Sequence, residues 1–205
     1  MSNDRRAATL QPIHDLLAER WSPRAFADRA VTHEMLGSLF EAARWAPSCF
    51  NDQPWYFVFG CKGESDDGDA WNKVHDCLVE ANQVWAKHAP VLGISVARTK
   101  FTFNGNDNRH AMYDTGAAAF ALTVQAQARG LAVHQMGGFD ADAAKTAFGI
   151  PADHTPMAAI AIGYEGSADQ LEGDLAERER APRERRALGQ TVFGGAWGEA
   201  HPATE

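Results

Sequence analysis

The sequence predicts an α+β or α/β fold, and three observations carry that expectation. Stretches with apolar residues at helical spacing alternate along the chain with short apolar runs of strand length. The apolar fraction, 45% of 205 residues, is enough for a core of domain size. No internal repeat and no linker composition interrupts the pattern before residue 165, so one domain spanning 1–205 is expected.

The elements follow in order. IHDLLAER (13–20) and HEMLGSLFEAARWA (33–46) read as helices; in the second, Leu36, Leu39, Phe40 and Ala43 share a face and Thr32 precedes them as N-cap. Residues 55–59 read as a strand, and the acidic, glycine-containing GESDDGD (63–69) as a loop. A helix is expected from about 70 to 87, then a buried strand at VLGISVA (91–97). RTKFTFNGNDNRH (98–110) is polar but carries Phe101 and Phe103, the composition of a mobile cover over a site. The small-residue stretch 113–129 reads as a helix closed by Gly130. A strand at 132–136, a glycine pair, a short helix at 140–148 and the apolar strand MAAIAIGY (157–164) complete the alternation. The last forty residues are mostly charged before the apolar VFGGAWG (192–198), which can dock on another surface.

A net charge of −8 argues against general nucleic-acid binding, which needs a positive field. The charge is uneven: ERERAPRERR (177–186) holds five Arg and three Glu, so the remainder stands at −10 and a small anion can still find a basic pocket. No apolar stretch reaches membrane-spanning length, and the residues after Arg5 and Arg6 lack the apolar core of a secretory signal. Three cysteines, Cys49, Cys61 and Cys77, form neither a C-x-x-C pair nor a disulfide framework, and the histidines are scattered without ligand spacing. The chain therefore reads as soluble and cytoplasmic, with no metal. There is no G-x-G-x-x-G, no Walker loop and no G-x-S-x-G elbow, so any nicotinamide must visit a site built for something else.

Two segments carry chemistry. In ERWSPRAF (19–26), Arg20, Ser22 and Arg24 alternate just past a helix, and extended backbone would point all three to one side. Two guanidinium forks flanking a hydroxyl suit a phosphate monoester, although Arg beside a helix C-terminus also serves the macrodipole and solvent. In RWAPSCFNDQPWYFVFG (44–60), the chain leaves a helix through Pro47 and strings Ser48, Asn51 and Gln53 along an irregular segment before the next strand.

In tandem, these two segments resemble the N-terminal signature of the FMN-dependent nitroreductase family, and the resemblance covers nearly the whole chain. It implies a three-layer α/β/α fold with a central mixed sheet, and a homodimer with FMN at the interface and a domain-swapped C-terminal tail. It also implies that Arg20, Trp21, Ser22 and Arg24 serve the cofactor, and that the loop holding Pro47, Ser48, Cys49 and Asn51 crosses to the partner's flavin. GLAVHQMGGFD (130–140) is similar to the strand and loop beneath the flavin, with Gln135, Met136, Gly137 and Gly138 in place of a frequent Pro-Ile-Glu-Gly run. Gly137 stands where many members carry a glutamate, which leaves reductant preference open; without the resemblance, the glycine pair reads equally as a turn. RERRALGQTVF (183–193) is similar to the family's C-terminal phosphate pattern, with Arg183 and Arg185 as its pair and Arg186 as an extra, while Arg178 and Arg180 read as solvated. Asn82 falls where members often have an asparagine near the ribityl chain or the pyrimidine.

The activity implied is NADH- or NADPH-dependent reduction of electron-poor acceptors such as nitroaromatics and quinones, by a ping-pong hydride transfer. No side-chain general acid is evident, so no catalytic residue is assigned. Trp21, Phe101 and Phe103 are candidates for shaping the acceptor pocket, the loop 98–112 is the variable cover, and 166–205 is a C-terminal extension. Gly116, Ala117, Ala118, Ala119 and Ala121 suit close packing at a dimer interface or in an ordinary core. Three alternatives stand beside this reading: dehalogenation, ene reduction or flavin cleavage on the same scaffold; a flavin-binding module without turnover; and a dimeric interaction protein with no cofactor.

Overall fold

The computed structural model describes residues 5–63 and 68–204. The acidic loop read at 63–69 falls largely on 64–67, outside the described residues.

Eleven elements of regular structure organise the described residues: α1 (Asp15–Glu19), α2 (His33–Arg44), β1 (Trp55–Cys61), α3 (Gly68–Cys77), α4 (Glu80–Ala86), β2 (Val91–Arg98), α5 (Ala111–Ala128), β3 (Ala132–Met136), α6 (Ala141–Phe148), β4 (His154–Gly163) and α7 (Asp174–Arg180). Local chemistry sets several ends. The Thr32 hydroxyl accepts the N–H of Met35 at the start of α2, and Asp140 accepts from Asp142 and Ala143 at the start of α6. α6 ends on Gly149 in the left-handed conformation that glycine adopts without steric cost.

The strands form one sheet in the order β1-β2-β4-β3. Period-2 alternation sends side chains to two cores. Leu92, Ile94 and Val96 of β2, with Ala159 and Ala161 of β4, pack with Trp71, Val74, Trp85 and Ala144 from α3, α4 and α6. Ile160 and Ile162 of β4 pack on the other face with Leu36 and Leu39 of α2 and Leu122 and Ala126 of α5. Helices thus cover both faces, giving the three-layer α+β arrangement. Fully burying side chains of this size stabilises the fold by about 1.5–3 kcal/mol each. At Gly60 a Cβ would come within 2.1 Å of the Trp71 backbone nitrogen, so only glycine lets α3 close on β1.

Two expectations need correction. The sheet is not mixed: every neighbouring pair among the described strands is antiparallel. The crossover through α5 does leave β2 and β3 pointing the same way, but β4 inserts between them and pairs antiparallel with both. The helix expected over 70–87 is two helices. Val79, at φ −65 and ψ 149, interrupts them, and its N–H goes to the carbonyl of Gly138 while Asp140 donates to the carbonyl of Cys77. Backbone groups spent on the β3–α6 loop leave the helical ladder, and the break carries Asn82 to that loop.

Smaller differences are boundaries. β4 begins at His154 rather than 157, and its register shifts beside Pro156, whose ring nitrogen has no hydrogen to give to the ladder. α5 begins at Ala111; Ala118 and Ala119 face the chain's own core, while Phe120 is exposed. Beyond α7 the tail makes a short bridge between Phe193 and Ala200, with Phe193 and Trp197 rings 5.0 Å apart and Trp197 93% exposed. Among the described residues no helix is long and apolar enough to cross a membrane.

Candidate functional site

The segment after α1 forms the first half of the site. α1 ends at Glu19, Arg20 leaves in an extended conformation, and its Nη1 donates to the Ser22 hydroxyl at 3.2 Å. Arg183 arrives from beyond α7 and donates from Nη1 to the carbonyls of Ala18 (2.7 Å) and Arg5 (2.8 Å). Burial, and then the charges of Arg183 and Arg185, hold the Arg20 guanidinium below its ordinary value; burial and Arg185 do the same to Arg183. Among the described residues none of these three arginines has a carboxylate partner. A carboxylate-free concentration of guanidinium groups beside a hydroxyl fits a dianionic phosphate.

Among the described residues, Arg24 has a carboxylate neighbour that Arg20 and Ser22 lack. Its guanidinium, 28% exposed, lies 3.9 Å from the buried Glu179 carboxylate, and the same carboxylate accepts the N–H groups of Arg24 and Ala25. Arg24 therefore faces a carboxylate already, whereas Arg20 and Ser22 do not. Trp21 sits beneath Arg5, whose guanidinium carbon is 3.5 Å from the ring centroid, and its indole N–H donates to Glu165.

β3 joins this half. His134 lies against Trp85, with ring centroids 4.6 Å apart, and its Nδ1 is 2.8 Å from the carbonyl of Pro23. Burial pushes its pKa down to about 4 against the opposing pull of that carbonyl, so at neutral pH the ring is uncharged and donates from Nδ1. Past it, Gln135 is exposed and reaches the Thr123 hydroxyl at 3.3 Å, while the Met136 side chain is buried in the core and leaves only its backbone to the site. At Gly138 a Cβ would come within 2.6 Å of Asn82 Nδ2, which donates to the Gly138 carbonyl at 2.9 Å. At Gly137 a Cβ would meet nothing within 4 Å.

The loop after α2 is built separately. Phe50, Asn51 and Gln53 have φ of 55, 54 and 51, a left-handed conformation that costs a non-glycine residue about 1–3 kcal/mol. Side chains hold it there: the Ser48 hydroxyl accepts the Gln53 N–H, and buried Asp114 accepts the Cys49 N–H at 3.0 Å. Asp52 accepts the Thr102 N–H at 2.8 Å, and the Phe50 ring meets Phe101 and Phe103 edge-on at 5.8 and 5.6 Å. The loop and the cover 98–110 are thus one unit, with Phe50 77% exposed and Pro47 and Asn51 also at the surface. The hydrogen-bond partners of Ser48, Cys49, Asn51 and Asp52 lie in this unit and α5, and none of those bonds reaches the Arg20 and Gly138 half.

Residues 17–164 match the sequence model of the nitroreductase family. The chain belongs to that family. A solved structure described as an oxidoreductase containing FMN superposes with a TM-score of 0.88 at 36% identity, covering 96% of this chain and 98% of its own. An uncharacterised 15.4 kDa protein of Mycolicibacterium smegmatis is 36% identical over 148 residues, 69% of this chain and 97% of the relative. A Ralstonia nicotianae protein provisionally named an NADH dehydrogenase/NAD(P)H nitroreductase is 26% identical over 160 residues, 68% of this chain and 80% of the relative.

Two residues packed into the candidate site, Glu179 and His134, were not among those the sequence singled out. Glu179 sits in an Arg and Glu run that reads as a solvated face, and nothing in the pattern marks it as buried. His134 occupies a position in the short strand AVHQM beside the equally polar Gln135, and nothing in that pattern marks its ring as buried.

Proposed function

We propose that the chain is an FMN-dependent oxidoreductase that uses NADH or NADPH to reduce electron-poor acceptors, such as nitroaromatics and quinones, in alternation at one site. The observation that carries this reading is the cluster of Arg20, Arg183 and Arg185 beside Ser22, without a carboxylate partner among the described residues. A phosphate monoester meets those donors, and family membership and the FMN of the 36%-identical structure favour FMN among such esters. When bound, FMN would supply the two-electron chemistry that takes hydride from the nicotinamide and passes it to the acceptor.

The chain's own residues have holding and shaping roles in this proposal. Arg20, Ser22, Arg183 and Arg185 would fix the phosphate, and Arg24 would add charge from behind its pairing with Glu179. The backbone of 135–138, with Asn82 locking Gly138, would offer a flat approach to a ring. The open space at Gly137 would leave the nicotinamide side without the carboxylate expected from the resemblance.

The same proposal includes a cytoplasmic, one-domain protomer that works as a homodimer. Trp45, Phe50 and Tyr113 are each at least 75% exposed, apolar surface that a second copy would cover. A groove of about 610 Å³ lies between α2 and β1, lined by Leu36, Phe40, Trp55, Phe57 and Phe59. The tail of a second copy, carrying Phe193 and Trp197, is the occupant we assign to it. The loop 47–51 of one copy would then face the Arg20 and Gly138 half of the other.

The deciding experiment is the visible spectrum of the purified protein, with the heat-released chromophore identified by mass. FMN near one per chain, bleached by NADH or NADPH under argon and restored by menadione, is the expected result. Bound flavin inert to both nicotinamides would leave a binding module; a colourless protein that takes up no FMN would overturn the reading.

A further inference from the structure

We infer that Glu179 is a positioning residue for the phosphate subsite, setting the distance between the Arg20–Ser22 turn and the arginines that follow α7. The inference rests on the FMN reading above and assigns a role to a side chain that touches no ligand.

Glu179 is 1% exposed, yet its neighbours Arg178 and Arg180 face solvent. Its Oε1 accepts the N–H of Arg24 and the N–H of Ala25, both at 2.9 Å, and its Oε2 accepts the Arg24 N–H at 3.1 Å. A carboxylate is costly to bury, and an apolar residue would suit the packing of α7, which already sends Leu175 and Ala176 toward the core. The charge instead faces the Arg24 guanidinium at 3.9 Å and accepts from two adjacent backbone donors of the segment that follows Arg20 and Ser22. Four positions later, Arg183 donates to the carbonyl of Ala18. The segment 179–183 is therefore pinned to the segment 18–25 at two points, Glu179 on Arg24 and Ala25, and Arg183 on Ala18. Arg20 and Ser22 lie between those points. With both pins in place, Arg20 is part-buried and Arg183 and Arg185 lie close enough to add their repulsion to that burial in disfavouring its charge. Removing the Glu179 pin frees one end of the bracket and lets the like charges separate.

The test compares FMN with riboflavin, which lacks only the phosphate, by titrating each into flavin-free protein and following flavin fluorescence. Wild-type protein is expected to prefer FMN. In Glu179→Ala the FMN affinity falls by about tenfold or more, and in Glu179→Gln, which keeps one acceptor oxygen but loses the charge, by about threefold or more, as displaced charged hydrogen bonds to a dianion require. Riboflavin affinity stays within about twofold in both. If Glu179→Ala does not fold, Glu179→Gln decides alone. An unchanged preference for FMN over riboflavin, or equal weakening of both flavins in step with a lower Tm, overturns the inference. A wild-type protein that binds the two flavins equally, or neither, removes the phosphate subsite itself and overturns both readings.

Discussion

His134 Nδ1 and the carbonyl oxygen of Pro23 are 2.8 Å apart, a hydrogen bond between the middle of β3 and the turn that carries Arg20 and Ser22. Through it, the strand leading to Gly137 and Gly138 and the proposed phosphate turn hold a fixed separation. The bond needs a proton on Nδ1, and burial, outweighing the carbonyl's pull toward the charged form, pushes the pKa down to about 4 and leaves the ring neutral at pH 7.

Stability should therefore depend on pH through His134. Its folded pKa is about 4 against an ordinary value of 6.5, so between those limits the unfolded chain binds more protons and stability rises with pH. The contribution is complete above 6.5 and lost as pH falls through 4, amounting to about 3 kcal/mol at most. Urea unfolding at pH 4.5 and 7 should show a larger acid loss for wild type than for His134→Gln, which keeps a donor for Pro23 but does not titrate. Equal losses would remove the assignment.

The two glycines after β3 should respond oppositely to a methyl group. Gly137→Ala adds a Cβ in open space and should change Tm little. Gly138→Ala places it 2.6 Å from Asn82 Nδ2 and 3.0 Å from Val79, so the Asn82 bond must give way at a cost of about 1–3 kcal/mol. Thermal melts of both variants check this, and a tolerated Gly138→Ala would contradict the packing.

Asp114 should hold the strained loop. Asp114→Ala leaves the Cys49 N–H without its acceptor, a loss of about 1–3 kcal/mol against backbone already in left-handed conformations. Amide exchange is expected to accelerate at residues 49–53 before the core of the sheet is affected. A loop exchanging at the wild-type rate would mean that Asp52 and Ser48 suffice.

Arg183→Ala should weaken FMN binding by about 1.5–3 kcal/mol, roughly tenfold to a hundredfold, as expected for a charged hydrogen bond. Lys retains the charge but lacks the fork, so Arg183→Lys should recover part of that loss. Unchanged FMN affinity in both variants would leave Arg183 a structural clasp for the Arg5 and Ala18 carbonyls.

Much of the fold is legible because periodicity is local: α2, β2, β3 and α6 lie within a few residues of where the apolar pattern puts them. The break at Val79 is not, since a helical pattern does run across it and the competing partner, Gly138, is distant in sequence. Strand directions were equally hidden, because the pattern of a buried strand does not record which strand lies beside it. In the site, residue type pointed to anion chemistry around Arg20 and Ser22, the family resemblance added Arg183 and Arg185, and the structure brings these together. It also turns Arg24 toward Glu179 and buries Met136, outcomes decided by long-range packing that a motif does not contain.

The strand order has a consequence for how the chain comes to be made. β4 is the last strand to be synthesised, yet it lies between β2 and β3, and β3 pairs with no other strand among those described. Until Gly163 has left the ribosome, β1 and β2 can pair only with each other, and β3 must wait with its backbone unmatched. The sheet therefore closes last at its centre, once β4 is available, so the nascent chain depends on keeping its apolar faces apart until then.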